Sequence, residues 1–191
     1  VSGTVTCNGN CRSECSLNAK EFEGEGDITV EGDLEIEGDV EIGDGRLDVI
    51  GNLAAKDVEV DRTLTIEKDM KAERIDVGGS LEVKGNTTAQ TIDVGGSFTG
   101  FGEVKVDSID VGGSVHVESR VEAKSLDVGG KAIVKGGHID TVDVGGSFES
   151  EDSLEFGSID VGGVVRLNGK NVGGDIDVGG ACRVDGDLKF K

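Results

Sequence analysis

The sequence predicts an all-β protein, a single-stranded, three-sided parallel β-helix (a solenoid) of about ten coils. One observation is a pentapeptide, an aliphatic residue followed by Asp-Val-Gly-Gly, that occurs seven times between Ile75 and Gly180. Its copies start 17, 17, 17, 16, 17 and 17 residues apart. A second is that apolar and polar residues alternate inside each unit, and a third is a composition with 33 Gly and no Pro. A constant short period indicates stacked units rather than one globular core.

Each unit contains three short strands. In the unit that begins at Ile109, apolar residues come in pairs that flank one outward residue: Ile109 and Val111, Val115 and Val117, Val121 and Ala123. This period of two is that of a β-strand. The pairs follow each other at steps of six, six and five residues, so that three sides complete one coil of 17 residues.

The same register continues upstream of the pentapeptides. Val58 to Ala72 fits one further coil, Val40 to Ala55 fits another, and Ile28–Val30 and Leu34–Ile36 fit two sides of the coil before. We therefore predict a β-helix domain over residues 22–191, preceded by a Cys-containing N-terminal cap or tail over residues 1–21.

The Gly-Gly pairs lie at the corner after the first strand of each coil. Glycine adopts the positive φ of tight corners and lets successive coils stack without side-chain collision, so both properties are expected here. Two units deviate from the pattern, one near Gly136-Gly137 and one over Asn168–Gly174, where the third strand is expected. The bulky inward residues are predicted to be Phe98, Phe148, Phe156 and Phe190.

The outward residue of the first strand is acidic in nine successive coils. These residues are Glu41, Glu59, Asp76, Asp93, Asp110, Asp127, Asp143, Asp160 and Asp177. Stacking places them about 4.8 Å apart, where neighbouring charges repel by roughly 0.9 kcal/mol in bulk water. One interpretation is a solvated face that prevents lateral association, and the other is a template for divalent cations or a basic partner. No catalytic residue is predicted, because a uniform ladder contains no distinguished carboxylate pair.

Three cysteines cluster near the start of the chain. Cys7, Cys11 and Cys15 are separated by three residues each, a spacing that a zinc site tolerates. Cys182 is distant and is predicted to point inward in the last coil. Four cysteines so distributed do not predict a disulfide framework. Reduced thiols in a cap, a metal site and an inter-subunit disulfide remain as alternatives.

The two histidines and one sequon give weaker signals. His116 is predicted to point outward from a strand and His138 to lie at the irregular corner, on different sides of the coil. Asn86-Thr-Thr88 matches the acceptor pattern for N-glycosylation, which matters only for an exported protein.

The net charge of −20 and the pI near 4.3 argue against nucleic acid as a partner, because phosphate contacts need Lys and Arg. They equally disfavour an anionic membrane surface. No apolar run approaches the roughly 18 residues of a membrane span, although membrane association is left open. We expect a cytoplasmic location, with the cell surface as the alternative.

The last coil predicts self-association. It ends in Leu188-Lys-Phe190-Lys191, and its apolar residues are followed by no helix or long polar segment in this sequence. An uncovered row of strand groups invites pairing with another chain. We therefore predict a homopolymer whose interface includes Leu188, Phe190 and Cys182, with any cargo proteins unidentified.

The stretches Ile28–Asp39 and Ile75–Gly85, with their recurring Val-x-Gly elements, resemble the bactofilin family of polymer-forming cytoskeletal proteins. The resemblance covers about residues 22–191. It implies a right-handed, three-sided β-helix that assembles end to end into filaments without nucleotide. It also implies a scaffold for cell shape and for the localisation of other proteins, often at the membrane.

Two alternatives come from other classes of protein. Ile42–Gly45 looks like one hexad of a hexapeptide-repeat acyltransferase, but the period here is 17 rather than 18. The second alternative is an exported surface or sheath protein whose acidic ladder is bridged by cations. We predict a structural protein without enzymatic activity, and a divalent cation on the ladder is the only cofactor left open.

Overall fold

In the computed structural model, residues 3–191 are described, and they form only strands and the corners between them. The strands are β1 (Thr4–Asn8), β2 (Cys11–Ser13), β3 (Leu17–Ala19), β4 (Glu21–Val30), β5 (Leu34–Ile36), β6 (Val40–Val49), β7 (Leu53–Ala54), β8 (Asp57–Val60), β9 (Thr63–Ile66), β10 (Met70–Lys71), β11 (Arg74–Val77), β12 (Ser80–Val83), β13 (Thr87–Thr88), β14 (Thr91–Val94), β15 (Ser97–Gly100), β16 (Val104–Val111), β17 (Ser114–Val117), β18 (Val121–Val128), β19 (Lys131–Val134), β20 (Gly137–Val144), β21 (Ser147–Ser150), β22 (Leu154–Val161), β23 (Val164–Val178) and β24 (Ala181–Phe190).

Each strand pairs in parallel with the equivalent strand one coil further along the chain. Ile75 lies opposite Ile92, and Ile92 lies opposite Ile109, so the register advances by 17 residues per coil. The chain forms about eleven such coils, which confirms the predicted β-solenoid. We name the sides of a coil by their position: the first side contains Ile109–Val111, the second Val115–Val117 and the third Val121–Ala123.

The segment before residue 22 forms the first coil. Strands β1 and β2 pair with β4, and β3 pairs with β5, in the register of the later coils. The coil register thus extends into the segment predicted as a cap or tail (residues 1–21), of which residues 1 and 2 lie outside the described part. The inward positions of this coil include Cys7, Cys11 and Ser13 rather than Val, Ile or Leu, which weakened the apolar alternation.

The core is a set of inward columns of Val, Ile and Leu that run the length of the solenoid. Phe98, Phe148 and Phe156 are buried in them, as predicted. Phe190 is different, because 59% of its surface is exposed in the last coil. Phe190 is exposed because, within residues 3–191, only one coil packs against the last coil.

The Gly-Gly corners are needed for stacking rather than for positive φ. A Cβ atom added at Gly112 would lie 2.5 Å from the carbonyl oxygen of Gly95 in the preceding coil. The glycines with positive φ are at other corners, among them Gly136 and Gly137 in the irregular unit. Of the two properties expected of these corners, only close stacking applies.

The second irregular unit keeps its third side. Strand β23 continues through Asn168–Gly174, and Asn171 occupies an inward position with 1% exposure. Its Oδ1 accepts a hydrogen bond from the backbone N–H of Leu154 (3.1 Å), and its Nδ2 donates to the carbonyl oxygen of Asn168 (3.2 Å). The buried amide is thus satisfied in a column whose other buried polar residue is Thr87.

Candidate functional surfaces: the acidic ladder and the two end coils

The predicted acidic residues form one continuous column on the first side. Each lies opposite the next in register, from Glu41 to Asp177, and Glu23 extends the column by one coil. All ten side chains are exposed. We call this column the acidic ladder.

The ladder raises the pKa of two of its carboxyl groups. Partial burial raises the pKa of the Asp93 carboxyl, and the charges of Asp76 and Asp110 raise it further. The pKa of Asp127 is raised in the same way, first by partial burial and then by Asp110 and Asp143. Each added negative charge in the column therefore makes ionisation of its neighbours less favourable.

A column of hydroxyl groups flanks the ladder, and the sequence analysis missed it. Its members precede the ladder residues by two positions: Thr91, Ser108, Ser125, Thr141 and Ser158. The Oγ atoms of Ser108 and Ser125 are 2.8 Å apart. The signal was available as a Ser or Thr two residues before five of the seven ladder Asp residues, from Asp93 to Asp160.

The ladder carboxylates do not converge on a common point. Within residues 3–191 no group of three or more His, Cys, Asp or Glu side chains is arranged to hold a metal ion. The ladder presents one carboxylate per coil along a line. A cation template on it stays a prediction.

The cysteine cluster differs from the predicted three-cysteine metal site. Cys7 and Cys11 are joined in a disulfide that spans the corner between the first and second sides, with their Cα atoms 6.4 Å apart. Neither sulfur is then available as a thiolate ligand. Cys15 is free and exposed beyond the second side, and Cys182 is free and exposed in the last coil.

Cys11 and Cys182 lie at opposite ends of one inward column. The column runs Cys11, Ile28, Leu47, Leu64, Leu81, Phe98, Val115, Ala132, Phe148, Val165 and Cys182. Every residue between the two cysteines is buried. The column therefore has a cysteine at each end.

The last coil presents an apolar end surface. Cys182 and Phe190 are exposed, and Ile176, Val178, Val184 and Leu188 are only partly buried, although all six occupy inward positions. The predicted interface residues Leu188, Phe190 and Cys182 thus lie together on this coil. We call these six residues the end surface.

The histidines lie on different sides, as predicted, but His138 lies within strand β20 rather than at a corner. His116 lies on the second side, opposite Thr99 and Ile133. His138 lies on the third side, with its Nε2 3.0 Å from an Asp140 oxygen and its Nδ1 3.7 Å from Glu155.

Asn86 belongs to a ladder of hydrogen bonds that the sequence analysis did not identify. At the corner before the third side, the side-chain oxygens of Ser16, Asp33, Asn52, Asp69 and Asn86 each accept a hydrogen bond from a backbone N–H in the following coil. The distances lie between 2.7 Å, at Asn52 N–H to Asp33, and 3.2 Å, at Asp69 N–H to Asn52. The Asn86 sequon therefore has a structural reason for its asparagine.

Comparison with protein-family models, with curated proteins and with solved structures finds no match to this chain. A helix long and apolar enough to cross a membrane is not found in residues 3–191.

Proposed function

We propose that this protein is a structural subunit that assembles end to end into nucleotide-independent filaments and acts as a cytoskeletal scaffold. The observation that carries the proposal is the end surface, where inward residues of the last coil lack the neighbour that buries their counterparts in every interior coil. A second copy of the chain is the occupant that fits, because its first coil has the same three sides and the same columns.

The columns of the two end coils continue one another. Val5 belongs to the column of Ile176, and Leu17 belongs to the column of Leu188. Val5 and Leu17 are themselves only partly buried in the first coil. Stacking the first coil of one copy on the last coil of another buries apolar surface on both and pairs the strand edges.

Charges on the second side also match across such a junction. Arg12 in the first coil pairs with Glu31 in the second coil at 2.6 Å. Arg183 occupies the column of Arg12, and Glu14 occupies the column of Glu31, one coil earlier. Arg183, which is paired with Asp185 of its own chain at 2.6 Å, therefore lies one coil from Glu14 of the next copy, as Arg12 lies one coil from Glu31.

Residue size constrains the junction on the third side. Phe190 lies in the column that contains Phe156 and Gly173, and a Cβ atom at Gly173 would collide with the Phe156 ring. A Phe in this column therefore needs a small residue in the next coil. Ala19, which continues the column in the next copy, is small but is already fully buried in the single chain, where the neighbouring Lys20 N–H donates to the carbonyl oxygen of Gly3, so Phe190 reaches it only if Gly3 moves aside.

The test is Phe190→Asp, which places a charge on the end surface. We expect filaments to be lost or much shortened in negative-stain electron microscopy, with a smaller sedimentation coefficient at the same concentration. Phe101→Asp is the matched control, because Phe101 is a 39% exposed phenylalanine on the lateral surface of an interior coil. Unchanged filaments in Phe190→Asp, or equal loss in both variants, would contradict the proposed interface.

The same assay distinguishes the two interpretations of the acidic ladder. Filaments that form with and without divalent cation support intrinsic end-to-end assembly, as the resemblance to bactofilins implies. Filaments that need the cation assign the ladder to cation binding. Discrete particles under all conditions would overturn the proposed function.

A further inference from the structure

The two ends of the chain carry matching sulfur chemistry, a disulfide in the first coil and a free thiol in the last. We propose that Cys182 of one copy exchanges with the Cys7–Cys11 disulfide of the next copy and so locks the filament covalently. This inference rests on the proposed end-to-end assembly. It goes beyond that assembly because it assigns a reactive function to three cysteines.

The register of the columns determines which sulfur atom of the next copy lies beside Cys182. In a continued solenoid, Cys11 of the next copy takes the position after Cys182, while Cys7 takes the position after Val178. Residues in successive coils of one column lie about 4.8 Å apart at their Cα atoms. Disulfides join Cα atoms that are roughly 4.4–6.8 Å apart. A Cys182–Cys11 bond therefore fits the stacking distance.

Exposure favours attack on the same atom. Cys182 is exposed and free, so its thiol is accessible before a second copy docks. Cys11 is partly exposed on the first coil, whereas Cys7 is only 7% exposed. The attacking sulfur therefore reaches Cys11, and Cys7 is the leaving group.

The exchange is balanced without an oxidant. The Cys182 thiolate attacks Sγ of Cys11, a bond forms between these sulfurs, and the Cys7–Cys11 bond breaks. Cys7 leaves as a thiolate and takes up the proton that Cys182 lost. The number of disulfides does not change, and each junction converts one intrachain disulfide into one interchain disulfide.

The released Cys7 remains in a suitable environment. It occupies an inward position in the first coil, where a neutral thiol behaves as a small apolar side chain. Attack and return take place at the same covered junction, so docking keeps the sulfurs within reach of each other without favouring either direction. Thiol reductants should cleave the interchain disulfides and so shorten the covalent polymer. The apolar and ionic contacts of the junction should remain.

The experiment uses the full chain with its first-coil disulfide intact, under argon and with a chelator, so that no oxidant is present. After assembly, iodoacetamide blocks free thiols, and non-reducing electrophoresis with peptide mass spectrometry identifies the linkages. We expect a ladder of covalent multimers, Cys182–Cys11 linked peptides and alkylated Cys7. The free-thiol count should stay at two per chain, because Cys7 replaces Cys182 beside the free Cys15.

Three variants separate this exchange from assembly itself. Cys182→Ser should form filaments without covalent multimers, Cys7→Ser should give no cross-links without an oxidant, and Cys15→Ser should behave as the parent chain. Filaments with no Cys182–Cys11 peptide, or with Cys182–Cys182 links instead, would overturn the exchange but leave the assembly. Absence of filaments in both the parent chain and Cys182→Ser would overturn the proposed function itself.

Discussion

An interior coil and the last coil have nearly the same sequence pattern and very different surroundings. In the coil of Ile109–Ala123 the six inward residues are buried, with at most 5% exposure. In the coil of Ile176–Phe190 the same six positions are exposed or partly buried. The first side even carries the same tetrapeptide, Ile-Asp-Val-Gly, in both coils. Alternation therefore tells which way a side chain points, and a neighbouring coil decides whether it is buried.

The largest expected effect comes from placing a charge in one inward column, either in an interior coil or in the last coil. Val117 is 1% exposed and Val184 is partly buried, although both occupy the same column on the second side. Val117→Asp should lower the free energy of unfolding by roughly 4 kcal/mol or more, because the carboxylate is buried without a partner. Val184→Asp should cost less than about 1 kcal/mol in the unassembled chain. Urea unfolding followed by circular dichroism, below the assembly concentration, measures both.

Equal losses of stability in the two Asp variants would contradict the conclusion that Val184 is less buried than Val117 because it lies in the last coil. Val184→Asp should also weaken filaments, whereas the dilute chain should keep its far-ultraviolet spectrum. These two readouts separate folding of the coil from its contact with another copy.

A smaller effect is expected from Ala substitutions at two glycine corners where the added Cβ atom meets the same steric conflict. A Cβ atom at Gly112 or at Gly179 would lie 2.5 Å from the carbonyl oxygen of the preceding coil. Gly112→Ala should cost about 1–3 kcal/mol, because coils on both sides oppose the shift. Gly179→Ala should cost less than half of that in a chain of these residues, since no coil within residues 3–191 lies beyond it. Thermal melts of the two variants at one concentration make the comparison, and identical losses would contradict it.

The smallest effect concerns the acidic ladder and is visible in its pH dependence. Because the pKa of Asp127 is raised in the folded protein, its ionisation disfavours folding once the pH rises through that raised pKa. Asp127→Asn should therefore stabilise the protein slightly at pH 7, by less than about 0.5 kcal/mol for so exposed a side chain. The gain should vanish at acid pH, where the parent carboxyl is protonated in both the folded and the unfolded protein.

Asp177→Asn is the matched control, because Asp177 has a ladder neighbour within the chain on one side only. Its effect should be smaller than that of Asp127→Asn and should fall with added salt in the same way. A stabilisation of Asp127→Asn that is independent of pH would show that the ladder charge is not its source.

The interior coils were predictable from sequence because their period and alternation agree over many repeats. Ile75, Ile92 and Ile109 occupy one column, and the acidic ladder follows from the same count. The first coil was missed because its inward positions hold Cys7, Cys11 and Ser13. The inward place of Asn171 was not predictable either, since it depends on hydrogen bonds to Leu154 and Asn168 that no local pattern signals.

The candidate surfaces were predictable in part. Leu188, Phe190 and Cys182 were assigned to the last coil from the repeat alone, and they do share its end surface. The disulfide was not predicted, because spacing alone does not tell which cysteines face each other across a corner. The shared column of Cys11 and Cys182 became visible only when the first coil was placed in register.

Because the rise per coil is constant, the number of repeats determines the length of this protein in equal steps. Eleven coils at about 4.8 Å each give a length near 53 Å, and one added or deleted 17-residue unit changes that length by a single step. Such a change leaves the cross-section and both terminal coils as they are. Duplication of a repeat can thus change the distance between equivalent residues of successive subunits during evolution. The residues at the junctions stay the same.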